Sequence, residues 1–231
     1  MTKGARRAYK TGLSRGVIVE AALGLTAERG LDGWSMRDLT GRLDTSLSVI
    51  YHHVGDRQQV SAAVIDRIYG AMDLRLDEPD WRTLLHGILS QIIDQMSRYP
   101  GTATWLLRNG PQTEQLVPSL DAGMSRMLEA GWGAEAAIAF SVAFNTCLGM
   151  IALGDQRASA AGEQGMTGLQ TLLAAQPEPG PGAQEMLRMV RRYVAGPAER
   201  DAAHREQCRY ALDRMLDGMA DRLDVIKRAA G

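Results

Sequence analysis

A chain of 231 residues that is 45% hydrophobic and 23% charged carries enough apolar content to bury a core, which excludes disorder as the whole answer. Its net charge of −1 gives no whole-molecule field that would draw it to nucleic acid, so the distribution of charge matters more than the sum. No uninterrupted apolar run of about 18 residues and no secretory leader pattern are read in the sequence, and a cytoplasmic protein is expected.

The first segment, residues 1–13, is basic. Lys3, Arg6, Arg7, Lys10 and Arg15 fall within the first 15 residues without a single acid, and such arms favour phosphate contacts. Overlapping its end, Gly12-Leu13-Ser14-Arg15-Gly16 formally matches a nucleophile elbow. That motif needs a buried strand to present its serine, and a basic tail supplies none.

The rest of the chain shows helical spacing and no sustained period-two alternation, so an all-α protein is expected. Ser14 is placed as the N-cap of a first helix whose stripe is Ile18, Ala21, Ala22 and Leu25, with Leu13 and Ile18 as a hydrophobic staple and Gly30 as the terminator. Ser35 and Asp38 form a capping-box pair for a second helix burying Met36, Leu39 and Leu43. Asp44-Thr45-Ser46 makes a tight turn into a third helix, Leu47 to Val54, and Gly55-Asp56 leads into a fourth, residues 57–72. Further helices are expected at 79–99, 101–109, 113–131, 133–156, 183–195 and 197–228, with Gln176 to Gly182 as a mobile, non-helical loop because of its prolines.

Two short helices joined by a turn describe a helix-turn-helix. The segment Leu13 to Val64, LSRGVIVEAALGLTAERGLDGWSMRDLTGRLDTSLSVIYHHVGDRQQVSAAV, adds more. Its Ala21-Ala22, Gly30-Leu31, Ser35-Met36-Arg37, Leu43, Ser46 and Ile50-Tyr51-His52-His53-Val54 followed by Asp56-Arg57 resemble the DNA-binding region of the tetracycline-repressor (TetR) family. The resemblance is close over residues 13–72 and looser through Asp80-Trp81-Arg82, Arg98-Tyr99-Pro100-Gly101 and the Leu212 to Leu223 segment. One departure is Asp44-Thr45, where the family has glycine followed by an aliphatic residue.

The resemblance implies three parts: the arm (1–13), a helix-turn-helix domain with a connecting helix (14–72), and an effector-binding and dimerisation domain (73–231). It implies a homodimeric regulator, acting as a repressor, on a near-palindromic double-stranded operator, released by a small and largely apolar effector. Leu47, Ser48 and Val49 would face base edges without offering a bidentate group, which leaves Arg37 as the candidate guanine reader and Tyr51, His53 and Arg57 as phosphate anchors. Ser35, Thr45, Ser46 and His52, with Arg6, Arg7 and Lys10 of the arm, complete the candidate DNA-contacting set.

In the larger part, Gln95 and Asn145 are the candidate polar contacts of an effector, with Trp105 and Phe144 as walls. The stripe Leu212, Met215, Met219 and Leu223 is the expected dimer contact, since in the family the two helices matching 133–156 and 197–228 pair with their copies. No metal and no cofactor are expected: Cys147 and Cys208 are read as buried free thiols, and the adjacent His52 and His53 point about 100° apart on a helix. Rival readings are a helical-bundle enzyme, for which paired Glu-x-x-His motifs are missing, and a helical interaction module, which would not need the basic arm.

Overall fold

The computed structural model describes residues 13–111 and 114–230, and among them every regular element is a helix. In chain order these are α1 Arg15–Arg29, α2 Met36–Leu43, α3 Leu47–His53, α4 Arg57–Tyr69, α5 Trp81–Met96, α6 Thr102–Asn109, α7 Val117–Glu129, α8 Ala136–Ala158, α9 Ala160–Ala174, α10 Pro181–Val194 and α11 Pro197–Ala230.

The capping signals act as expected in the first half. Ser14 accepts from the Val17 N–H, Ser35 and Asp38 form a complete capping box, and Asp56 with Gln59 forms another. Helix α1 buries Ile18, Ala22 and Leu25, and also Val19 and Thr26. The Thr26 hydroxyl donates to the Ala22 carbonyl and accepts from the Trp34 indole N–H at 3.0 Å, so a buried polar group is satisfied twice.

Several boundaries differ from the spacing-based expectation, each for a local reason. Helix α4 stops at Tyr69 because Gly70 caps it, and α5 begins at Trp81 because Asp80 accepts from the Thr83 N–H at 2.8 Å. Helix α10 begins at Pro181, inside the segment expected to be non-helical. Proline at the first helical position lacks only an N–H that would have no intrahelical partner. Helix α9 occupies a stretch between the expected helices 133–156 and 183–195 for which no helix was read; its Ser159 cap accepts from the Gly162 N–H, while three glycines and the lack of buried residues hide it from periodicity.

Helix α8 is apolar on two sides. Phe140, Phe144, Cys147, Leu148 and Ile151 are buried, while Ile138 and Val142 stand 68% and 55% exposed. An 18-residue window of the Gly133–Ala158 segment reaches a mean hydropathy of 1.9, long and apolar enough to cross a membrane by length and composition, contrary to the sequence reading. Its packing between α5, α6, α7 and α11 accounts for the inner half of that composition.

The helix-turn-helix is bonded directly to the rest of the chain. The Leu31 N–H donates to the Pro100 carbonyl at 2.6 Å, and the Gly101 N–H donates to Asp155 Oδ2 at 2.8 Å. Gly101 takes φ +87°, and a Cβ there would press on Leu31 at 3.3 Å, so the close approach requires glycine. Burial pushes the Asp155 carboxyl up to about 6, opposed by the Gly101 hydrogen bond.

Because folding raises the proton affinity of Asp155, its contribution to stability is complete below the unfolded value of about 4 and is lost as the pH rises through about 6. Asp155→Asn, which keeps an acceptor for Gly101, should come close to the parent near pH 4 and exceed it at neutral pH by about 3 kcal/mol. Urea unfolding at the two pH values measures this, and a pH-independent difference would contradict it.

Candidate nucleic-acid interface

The third helix is held from below and open from above. Ile50 is fully buried and Val54 nearly so, which leaves Leu47, Ser48, Tyr51, His52 and His53 exposed along the outer face, with Val49 and Thr45 half-buried. Tyr51 is 50% exposed, more than an aromatic kept for packing would be. The His52 and His53 rings meet edge to face at 5.3 Å, and no group of three potential metal ligands occurs among the described residues.

The turn before it works although it lacks the usual glycine. Asp44 takes the left-handed conformation, φ 47° and ψ 49°, which Asp tolerates better than most residues. Ser46 occupies the N-cap position without capping through its side chain; its hydroxyl lies 2.9 Å from that of Ser48 instead.

The arginines of this region divide by partner. Arg42 makes a two-point pair with Glu28 that raises its pKa, and Arg29 pairs with Asp38 at 3.1 Å. Arg37, exposed at the start of α2, makes no ion pair among the described residues, so its guanidinium stays available. Ser35 beside it is committed to Asp38, accepting from its N–H and donating its hydroxyl to the carboxylate at 2.6 Å.

Arg57 is a correction. Expected as a phosphate anchor, it lies 3.6 Å over the Trp34 ring, donates to Ser61 at 2.9 Å and to the Leu31 carbonyl, and burial lowers its pKa. Its donors serve the fold. Arg6, Arg7 and Lys10 lie outside the described residues.

The candidate effector residues do not converge. Phe144 is buried, stacked on Phe140 at 6.5 Å, while its neighbour Asn145 points the other way, exposed and bonded to Ser141. Gln95 and Trp105 are half-buried on α5 and α6. Two cavities in this part are lined by other residues, chiefly of α8 and α11.

The expected dimer stripe also faces inward. Leu212 and Leu223 are buried, and Met215 and Met219 pack against the same core, because α11 lies along α5 and α8 of its own chain. Helical spacing shows that a stripe is buried without showing against what. Among the described residues the exposed large apolar side chains include Ile138 and Val142 of α8 and Tyr210 and Val225 of α11, and also Val117 and Leu128 of α7 and Leu172 of α9. The polar residues Arg200 and His204, which line one of the cavities, were missed; the only signal was His204 and Cys208 one turn apart.

Three comparisons bear on this geometry. No family model matches the chain. A curated relative, the HTH-type transcriptional repressor DrrR1 of Streptomyces coeruleorubidus, is 28% identical over 124 residues, covering 53% of this chain and less than half, 44%, of its own length. Among solved structures, the TetR family protein ActR of Streptomyces coelicolor in complex with actinorhodin superposes with a TM-score of 0.69 at 18% identity, covering 91% of this chain and 98% of that one. BioQ with its double-stranded DNA operator gives a TM-score of 0.57 at 22% identity, covering 70% of this chain and 96% of that one. The chain has the fold of the TetR-family transcription regulators.

Proposed function

We propose that the protein is a DNA-binding transcription regulator, a homodimeric repressor that reads a near-palindromic operator through α3 and is released by a small effector. The observation that carries this reading is a short helix whose inner residues Ile50 and Val54 are buried while Leu47, Ser48, Tyr51 and His53 are presented outward, beside Arg37, which makes no ion pair among the described residues. Residues 14–72 would form the DNA-binding head and 73–231 the effector and dimerisation part. The relatives give support by their names alone: DrrR1 is a repressor, and ActR and BioQ were solved with a small molecule and with operator DNA. Work on DNA places the protein in the cytoplasm.

For the dimer, the outer face of α8 with Ile138, Val142, Asn145 and Gly149 is the contact we favour. A second copy is the occupant that an apolar face on a helix fits best, since a two-fold interface uses one patch twice. It would also place two α3 helices on one side of DNA, about 34–36 Å apart or a multiple of that.

Fragments of the source genome selected on the protein test the function: an inverted repeat with that spacing is expected, and only unspaced, unrelated sequences would overturn it. On a selected site, Arg37→Ala should lose roughly 1–3 kcal/mol of specific binding and relax one base position with no change in melting temperature. Arg57→Ala should do the reverse, losing about 1–3 kcal/mol of folding stability with the packing on Trp34 and the Leu31 hydrogen bond. Comparable stability losses in both variants would contradict the division of roles.

Val142→Asp should give a folded monomer in sedimentation, because a charge buried in an apolar interface is costly. Met219→Asp should instead unfold the chain. A Val142→Asp protein that stays dimeric would move the interface elsewhere.

A further inference from the structure

Helix α2 is short of core contacts. Of its eight residues only Leu39 is buried, with Met36 and Leu43 half-buried at the edge of the core. A crossing angle is set by rows of side chains meshing with a neighbour, and one buried side chain is not a row. Packing fixes where α2 lies and leaves its direction loosely set.

Charge supplies the second constraint. Glu28 and Arg29, adjacent in the last turn of α1, meet Arg42 and Asp38 of α2: Arg42 donates to both carboxylate oxygens of Glu28 at 2.8 and 2.5 Å, and Arg29 donates to Asp38 at 3.1 Å. The hydrogen bond from Arg42 holds the Glu28 carboxyl below its ordinary range, and Asp38 is itself fixed by the capping box with Ser35. An acid on α1 faces a base on α2 and the reverse. Exchanging partners, Asp38 with Glu28 or Arg42 with Arg29, would set like charges together.

Gly24 marks the seat of the guanidinium. A Cβ there would lie 3.1 Å from a terminal nitrogen of Arg42, and Gly24 stands one turn before Glu28 on the same face of α1. Glycine inside a helix costs stability, and here it leaves room for the arginine to lie across α1 and reach Glu28 with two nitrogens. Both pairs are open to water, their side chains a third to a half exposed, so they add little to the stability of the fold. Direction is what they constrain. Arg42 lies two residues before Asp44, whose left-handed conformation leads into α3, and Arg37 is the neighbour of Asp38.

We propose that Glu28 and Arg42, with Arg29 and Asp38, are positioning residues of the DNA-reading surface: they set the angle of α2, and through the turn that of α3, at which Arg37 and the outer face of α3 meet DNA. The inference rests on the DNA-binding function proposed above.

Glu28→Gln tests it most sharply, because removing an acid from the neighbourhood of DNA should by charge alone strengthen binding. On a site selected from the source genome it should instead lose about tenfold in affinity, the effect of one exposed pair in each of two heads. Binding to unrelated DNA should stay equal or rise, and the melting temperature should stay within about 3 °C of the parent's. Arg42→Gln should lose the same factor with an unchanged salt slope, and the two substitutions together should lose no more than either alone. Operator affinity in Glu28→Gln equal to or above the parent's would overturn the proposal, as would a lowered salt slope in Arg42→Gln, the mark of a direct phosphate contact. Without DNA, residual dipolar couplings measured by NMR on Glu28→Gln should fit the parent arrangement for α1 and α4 and depart from it for α2 and α3. Couplings that fit throughout would overturn the proposal whether or not an operator is found.

Discussion

Leu31 is the point on which the arrangement of the molecule turns. Its side chain is fully buried, its N–H donates to Pro100 at the α5–α6 corner, and its carbonyl accepts from Arg57 at the start of α4. Three separate parts of the chain are therefore fixed through one residue. Arg57 in turn lies on Trp34, and Trp34 donates to Thr26 of α1, so the short turn between α1 and α2 is held from both sides. A helix of only seven residues such as α3 would not persist alone, and this frame, with burial of Ile50 and Val54, is what gives it a defined direction.

The same junction joins the helix-turn-helix to the larger helical part. Gly101 follows the carbonyl that Leu31 engages, and its N–H is held by Asp155 near the end of α8. A displacement of α8 or of the α5–α6 corner must therefore be met by Leu31 and by the helices bonded to it. Coupling of this kind needs a ligand that favours one arrangement over the other, and the contact supplies the element on which that preference acts. The two apolar faces of α8 fit the same scheme, with the inner face fixed in the core and the outer one free for a second copy.

The first half of the fold was legible because its signals are local. Caps at Ser14, Ser35 and Asp56 and the buried Ile18, Ala22, Leu25 and Leu39 depend on residues three or four apart, and the sequence displays them directly, whereas the expected Ala21, Met36 and Leu43 are only half-buried at the edge of the core. What stayed hidden depends on partners distant in the chain. Arg57 looks like a phosphate anchor until Trp34 is placed beneath it, and the stripe of Leu212 and Leu223 looks like an interface until α5 and α8 are seen against it. Helix α9 was illegible for another reason: it buries nothing, so no periodicity marks it.

The tie between the two ends is most directly tested by hydrogen exchange at the Leu31 amide, read by NMR under native conditions. If the junction holds the helix-turn-helix to the larger helical part, that amide should exchange as slowly as amides in the middle of α4, such as Ile65. Exchange as fast as that of an exposed turn, with α4 still protected, would show that the head moves independently and would contradict the account.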